Sequence, residues 1–304
     1  MVVYKTCILI YFWQSNLLSP CKQRLKYQRM FSLTTSLFTL IAALFISAQA
    51  ALCVEDTRTV AQNADKVLEQ TERITVSLKK MDFFRQDYSH FCTGSILSKD
   101  WILTAGHCFT DKFGIATSRI VVDAGSVHLS NLNGSRYKIA EYVIHPNQSE
   151  SILIYKHDLC LVKLEEPLKF TENIQPSHLG TIEDQKEVPV LGGGWGRVSQ
   201  HGSLNRKLRF QNLKTMAYDE CQRIHKKRKN IVDRVFHICG YGGIGKTLCF
   251  GDSGGPLVDP STGYQVGVFS ALEDCSGEYP VLFMRVETYL DWINDVTKLN
   301  LSLN

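Results

Sequence analysis

The stretch that decides the fold is residues 251–256, Gly-Asp-Ser-Gly-Gly-Pro. Glycine accepts a positive φ, so a loop rich in glycine can turn several backbone N–H groups towards one small volume. Donors held in this way stabilise negative charge that develops on a carbonyl oxygen. The alternative is a tight turn that happens to contain Ser253, and the rest of the chain decides between the two.

Two further stretches supply the partners that a serine nucleophile needs. Residues 104–108 read Thr-Ala-Gly-His-Cys, and in residues 157–164, His-Asp-Leu-Cys-Leu-Val-Lys-Leu, an aspartate precedes an apolar run. A histidine can take the proton of the serine alcohol and return it to a leaving amine, while an aspartate orients the imidazole. His107, Asp158 and Ser253 therefore form a candidate catalytic triad in the order His, Asp, Ser.

With these three motifs in this order, the chain resembles the trypsin/chymotrypsin family of serine proteases from about Thr59 to its C-terminus. The resemblance implies two six-stranded antiparallel β-barrels with the active site between them. It also implies an oxyanion hole made by the backbone N–H groups of Gly251 and Ser253. Ser270 matches the family serine that supports the buried aspartate.

The hydrophobic pattern independently favours an all-β fold. Short apolar or alternating runs are separated by turn residues, as at 74–78, 101–104, 119–122, 159–164, 188–191, 265–270 and 281–286. The linker between the barrels is expected at about residues 172–185. Only near the end does a helical period occur, at Val286, Leu290, Ile293 and Val296. This stripe predicts a C-terminal helix that packs on the second barrel, with a partner-binding surface as the alternative.

The N-terminal region has the parts of a secretory signal. The apolar run 33–48 follows several basic residues and ends at Ala-Gln-Ala, residues 48–50. A membrane-spanning anchor is the alternative, because the run is only just long enough to cross a bilayer. Translation could start at Met1 or at Met30, and the sequence leaves this open.

The expected division of the chain is an N-terminal extension with a signal peptide over 1–50, a propeptide over 51–58 and the protease domain over 59–304. The net charge of +4 and the 21% of charged residues are ordinary for a soluble protein and do not indicate a nucleic-acid binder. We expect a secreted, extracellular monomer without stable membrane association.

Cysteine usage agrees with an oxidising compartment, since eight of the ten cysteines lie beyond residue 50. Cys160 falls in an apolar strand, where a buried and unreactive thiol is expected. Cys53 lies in the expected propeptide, and the family's partner for it, expected near residues 177–178, is absent. By resemblance, the disulfide pairs are Cys92–Cys108, Cys221–Cys239 and Cys249–Cys275.

The resemblance also implies a precursor that is activated by cleavage after a basic residue. The new N-terminal ammonium then pairs with the acid before the catalytic serine, here Asp252. Arg58 and Thr59 stand where the family has a basic residue and Ile-Val-Gly-Gly; Thr59 is β-branched, but it adds a hydroxyl, and both glycines are missing. Cleavage after Arg73 would leave too little chain before the first disulfide, so we expect cleavage after Arg58.

The substrate pocket implied by the resemblance departs from that of trypsin. Thr247 stands at its base, where trypsin-like enzymes carry an aspartate that pairs with Arg or Lys. A cationic side chain would lose its hydration there without compensation. Leu272 and Val281 replace wall glycines and should narrow the pocket as in elastase-like members, while Phe250 adds apolar surface at the rim. Ser270 is also assigned to this pocket.

Three other features carry weaker expectations. Residues 123–143 lack the paired acids of the family's calcium site, so no metal or other cofactor is expected. Residues 225–229, His-Lys-Lys-Arg-Lys, are expected to be a solvated loop, with an exosite for an acidic or sulfated partner as the alternative. Glycosylation motifs at Asn133, Asn147 and Asn300 suit the secretory route.

Two hypotheses of function follow. The first is a secreted serine endopeptidase that acts on polypeptides after small or medium apolar residues and is open to control by protein inhibitors. The second is a catalytically inactive, protease-like binding protein, which the unusual activation segment and the filled pocket keep open.

Overall fold

The alternating apolar runs become the strands of two closed six-stranded antiparallel β-barrels. The computed structural model describes residues 65–82, 86–110, 116–131, 134–151, 154–183, 187–227 and 232–303. Of these, residues 66–303 belong to one compact unit. The expected signal peptide, propeptide and cleavage site lie outside the described residues.

The first barrel has the strand order β1-β2-β3-β8-β5-β4, and β6 and β7 pair as a separate hairpin. The bounds are β1 (Thr75–Asp82), β2 (Asp87–Ile96), β3 (Trp101–Thr104), β4 (Ile120–Ala124), β5 (Ser135–Ile144), β6 (Ser149–Ser151), β7 (Ile154–Lys156) and β8 (Cys160–Leu164). Its interior is filled by branched aliphatic side chains such as Val76, Leu78, Ile102 and Val162.

The second barrel has the order β10-β11-β14-β13-β12-β9. The bounds are β9 (Pro189–Gly194), β10 (Arg209–Thr215), β11 (His237–Tyr241), β12 (Pro256–Asp259), β13 (Tyr264–Ala271) and β14 (Val281–Arg285). Leu257, Phe269 and Phe283 are fully buried in its core. Both barrels were predicted, and the two closed sheets confirm them.

The two α-helices with complete bounds are α1 (Tyr218–Lys226) and α2 (Leu290–Thr297), and short 3₁₀ turns cover Gly106–Cys108, Thr117–Arg119 and Val286–Tyr289. The predicted C-terminal helix is therefore confirmed as a 3₁₀ turn that continues into α2. Val286 and Ile293 of its apolar stripe are buried in a cluster with Trp101 and Leu161 of the first barrel and Met284 of the second. The helix thus packs where the barrels meet, and not on the second barrel alone.

Two local structures differ from the sequence expectations. Residues 65–74 are helical, directly before β1, in a region where only strands were expected. His225, placed in a solvated run by the sequence, lies in α1 and is buried, with 3% of its surface exposed. It faces inwards because Cys221, one helical turn earlier, is tied to β11 by a disulfide.

Three disulfides join the pairs that the resemblance implied: Cys92–Cys108, Cys221–Cys239 and Cys249–Cys275. The first connects β2 to the 3₁₀ turn that carries His107, and the third brackets the loop that carries Ser253. Cys160 is a free cysteine with no exposed surface, and burial raises the pKa of its thiol well above the ordinary value. This agrees with the expected unreactive thiol, since the thiolate is the reactive form.

Among the described residues, no helix is long and apolar enough to cross a membrane. The apolar run 33–48 lies outside the region to which this finding applies.

Candidate active site

Asp158 is the most completely enclosed member of the candidate triad, with no exposed surface. Its Oδ2 lies 2.7 Å from Nδ1 of His107 and accepts a 2.6 Å hydrogen bond from the Ser270 hydroxyl. Its Oδ1 accepts the backbone N–H of His107 at 2.7 Å. Three donors thus offset the cost of burying the carboxylate.

This arrangement determines the tautomer of His107. Because Nδ1 faces a carboxylate oxygen, Nδ1 carries the proton, and Nε2 of the neutral ring is left as the base. Gly106 makes the close approach possible, since a Cβ at that position would lie only 3.1 Å from Oδ1 of Asp158. His107 is also partly exposed, with 17% of its side chain reaching solvent, so a substrate can approach it.

The loop that carries Ser253 belongs to the second barrel but rests on the first. The carbonyl oxygen of Ser253 accepts the N–H of Thr93 at 2.8 Å and lies 3.9 Å from Sγ of Cys108, the residue after His107. Gly254 has a φ of +82°, and a Cβ there would lie 2.0 Å from Oγ1 of Thr104. The glycine lets the nucleophile's loop sit against the segment that leads to His107.

Gly251 has a φ of +102°, a conformation that residues with side chains rarely adopt. Its carbonyl oxygen accepts two hydrogen bonds, both of 2.9 Å, from Nε2 of His90 and from Oγ1 of Thr93. Within the described residues, neither the Gly251 N–H nor the Ser253 N–H donates to a protein acceptor.

Asp252, between these two residues, points into the second barrel and is 6% exposed. Its Oδ1 accepts the N–H of Gly196 at 2.7 Å, and its Oδ2 accepts the N–H of Cys249 at 2.9 Å. Burial nevertheless raises its pKa to about 7. A cavity of about 70 Å³ adjoins the carboxylate and is also lined by Asn205 and Arg209. The predicted partner, the new N-terminus at Thr59, lies outside the described residues.

The residues assigned to the substrate pocket lie close to this loop. Thr247 lines the same 70 Å³ cavity as Asp252, and its hydroxyl donates to the Leu248 carbonyl at 3.2 Å. Leu272 packs against the apolar cluster that contains Val281, which is 2% exposed. Phe250, directly before Gly251 in the chain, is 43% exposed. The structure thus brings Leu272 and Val281 into one apolar cluster, with Val281 mostly within the barrel core.

In the described part of the chain, the group with the spacing of metal ligands is Cys92, His107 and Cys108. The two sulfurs are joined in a disulfide, so they cannot act as thiolate ligands. In the loop where a calcium site was considered, Asp123 is neutralised by protein cations, namely Lys79 at 2.7 Å and Arg136 at 2.7 and 2.9 Å.

Two residues that contact the site were missed in the sequence, His90 and Thr93. Burial lowers the pKa of His90 to about 4, so its ring is neutral near pH 7. Its Nε2–H donates to Gly251, and its Nδ1 accepts from the Ser77 hydroxyl at 2.8 Å. No local motif marks these residues, because their partner in the loop is 158 or 161 positions away in the chain.

Comparison with known proteins places these observations in a family. A family model described as Trypsin matches residues 62–293, well over half of the chain. Chymotrypsin-2 of Vespa crabro is 34% identical over 205 residues, 67% of this chain and 88% of that protein. Trypsin 5G1 of Aedes aegypti is 34% identical over 219 residues, 69% of this chain and 77% of that protein.

The third relative is larger. Serine proteinase stubble of Drosophila melanogaster is 30% identical over 229 residues, 72% of this chain. Those residues are 28% of that protein, so the chain spans little more than a quarter of its length.

Proposed function

The chain belongs to the trypsin family of serine proteases, and we propose that it is a secreted endopeptidase that cleaves after small or medium apolar residues. The observation that carries this proposal is the set of contacts around Asp158, which holds His107 in the tautomer of a general base. These contacts favour the enzyme over the binding protein, because they hold the imidazole ready to act as a base.

In the proposed reaction, His107 Nε2 takes the proton of the Ser253 hydroxyl as Oγ attacks the substrate carbonyl carbon. The imidazolium that forms is stabilised by Asp158 across the 2.7 Å contact. It then protonates the leaving amine, and the C–N bond breaks to give an acyl-enzyme. Water attacks the acyl-enzyme by the same route in reverse, with His107 again as the base.

The oxyanion hole is assigned to the N–H groups of Gly251 and Ser253. Support comes from the positive φ of Gly251 and from the absence of a protein acceptor for either group within the described residues. Donors that are already in place stabilise the negative charge as it develops. In comparable sites, removal of one such donor lowers kcat about 10²–10³-fold.

The preference for apolar residues rests on Thr247, Leu272 and Val281. A guanidinium at Thr247 would meet a neutral hydroxyl and would lack a counter-charge. Leu272 and Val281 pack in one apolar cluster, and by resemblance they stand at the pocket walls, where branched side chains would narrow the space for a long substrate side chain. We propose that the substrate residue before the cleaved bond is Ala, Val or a side chain of similar size.

The proposal includes a latent precursor. Asp252 is buried with a raised pKa beside a small cavity, so an incoming ammonium would find a carboxylate that gains from the pairing. Cleavage after Arg58 would supply it. Secretion is supported by the three disulfides and by the exposed glycosylation motifs at Asn147 and Asn300.

A fluorophosphonate probe tests the proposal against the alternative of a protease-like binding protein. The activated chain should be labelled covalently, and the Ser253→Ala variant should not. An activated wild-type chain that stays unlabelled while binding peptides would favour the alternative.

A further inference from the structure

Thr93 of β2 holds the candidate oxyanion loop at two points. It is fully buried. Its backbone N–H donates to the carbonyl of Ser253 at 2.8 Å, and its Oγ1 donates to the carbonyl of Gly251 at 2.9 Å. One residue of the first barrel therefore anchors both residues to which the oxyanion hole is assigned, although both belong to a loop of the second barrel.

Thr93 is itself held in place, through its backbone carbonyl and through packing against its hydroxyl. The Thr93 carbonyl accepts the hydroxyl of Thr104, in the neighbouring β3, at 2.7 Å. On the opposite side, a Cβ at Gly194 would lie only 2.4 Å from Oγ1 of Thr93, so the second barrel packs directly against this hydroxyl. A β-branched side chain also has few rotamers available. The donor is therefore positioned before any substrate binds.

The carbonyl of Gly251 needs such an anchor. Glycine loses more conformational freedom on folding than any other residue and has no side chain with which to pack. A carbonyl oxygen has two lone pairs, and here His90 and Thr93 occupy both. Loss of one donor would leave the Gly251 peptide free to tilt about the remaining bond to His90.

We propose that Thr93 is a positioning residue for peptide hydrolysis, whose hydroxyl orients Gly251 so that its N–H points at the developing oxyanion. This inference rests on the proposed function, because it assigns to Thr93 a role in the same site. The hydroxyl does not touch the substrate. Its contribution should therefore appear in the transition state and not in ground-state binding.

The test compares Thr93→Val with Thr93→Ser. Val keeps the shape and removes the donor, so kcat should fall about fivefold to tenfold with KM within about twofold, less than for the loss of an oxyanion donor itself. Ser keeps the donor and should retain kcat within about twofold of the wild type. A peptidyl trifluoromethyl ketone, which forms a tetrahedral oxyanion, should lose affinity for the Val variant by the same factor as kcat.

Thr75→Val is the matched control. Thr75 is buried in β1 of the same barrel, and its hydroxyl donates to the carbonyl of Thr71 at 2.6 Å. This variant should lose comparable stability with unchanged kcat. The inference is overturned if Thr93→Val keeps wild-type kcat, if both Val variants lower kcat equally, or if Thr93→Ser fails to restore it.

A second measurement does not depend on activity. In a Ser253→Ala background, Thr93→Val should speed amide hydrogen exchange in residues 249–255 and Thr75→Val should not; unchanged exchange there would overturn the inference. If the wild type hydrolyses no peptide, the proposed function fails, while exchange still decides whether the Thr93 hydroxyl orders this loop. If the Val variant does not fold, Thr93→Ala replaces it in both measurements. The Ala variant must then show a lower kcat and faster amide exchange than Thr93→Ser.

Discussion

The Ser270 hydroxyl of β13 donates a 2.6 Å hydrogen bond to Oδ2 of Asp158, which lies 112 residues earlier in the other barrel. The same oxygen faces His107. The carboxylate that orients His107 is therefore fixed by both barrels at once. Disturbing the contact between the barrels should therefore alter the orientation of His107 before it alters the packing inside either barrel.

Replacing the nucleophile tests the assignment of the triad most directly. Ser253→Ala should remove measurable peptide hydrolysis and leave the melting temperature within a few degrees, because Ser253 belongs to none of the hydrophobic core clusters formed by the described residues. Hydrolysis of a peptide substrate and thermal unfolding measure the two properties. Wild-type turnover by the Ala variant, in a preparation shown free of other proteases, would contradict the triad.

Activation should depend on cleavage after Arg58. We expect a latent precursor whose active form begins at Thr59, as N-terminal sequencing of the active species would reveal. Asp252→Asn should then strongly lower activity, because the new ammonium loses its charged partner. A different N-terminus on fully active protein would show that the activation site has been misplaced.

Stability should fall as the pH is lowered from about 6.5 to 4. Burial lowers the pKa of His225 to about 4, so in this window the unfolded chain binds a proton that the folded chain does not. His90 behaves in the same way. Asp252 and Glu72 act in the opposite direction, because burial raises the pKa of each, that of Asp252 to about 7. They are outweighed by three histidines with a pKa of about 4, namely His90, His145 and His225.

His225→Phe should reduce this pH dependence by about one proton, or roughly 1.4 kcal/mol per pH unit within the window. Urea unfolding of the Ser253→Ala protein, with and without His225→Phe, measures the slope. His225 suits the test because it lies in α1 and contacts none of the triad residues in the described structure. An identical slope in both proteins would contradict the prediction.

The substrate pocket should exclude basic side chains and should accept apolar side chains with rates that fall gradually as their size increases. A peptide library should show cleavage after Ala, Val and, less well, Leu, because a hydrophobic pocket distinguishes single methylene groups by only about 1–3 kcal/mol. Cleavage after Arg should be much weaker, because a buried unpaired charge costs more than a lost contact. Replacing Leu272 and Val281 together with glycine should admit Phe but still not Arg.

Efficient cleavage after Arg by the unmodified chain would show that Thr247 is not at the base of the pocket. Since Val281 is 2% exposed and belongs to the barrel core, the double variant needs a stability measurement beside the library. Val281→Ala, which leaves a smaller cavity, serves as the milder variant.

Local sequence was sufficient to propose His107, Asp158 and Ser253 as a triad, because each lies in a short motif whose neighbours would share its task. Gly106 allows the backbone of His107 to approach Asp158, and Gly254 allows the loop of Ser253 to approach Thr104. The barrels could also be predicted from local sequence, since strands with one buried face show alternating apolar and polar residues. The disulfide pairs, by contrast, came from the family resemblance and not from cysteine spacing.

The sequence did not indicate which residues anchor the loop that carries Gly251 and Ser253. His90 and Thr93 act on Gly251 through side-chain bonds that span more than 150 residues, and a histidine or threonine in a strand has no signature of such a role. The burial of His225 was missed because charged neighbours dominated the pattern. The disulfide between Cys221, one turn away, and Cys239 of β11 sets its environment, and the charged run itself carries no sign of that link.

The bond from the Thr93 N–H to the Ser253 carbonyl crosses from one barrel to the other. Activity during gentle heating or in mild denaturant should therefore report on the docking of the two halves and not on their secondary structure. We expect turnover to vanish at a denaturant concentration where the far-ultraviolet circular dichroism is still native. If the denaturant is diluted promptly, enzymatic activity should recover quickly, because the two barrels need only to dock again and not to refold.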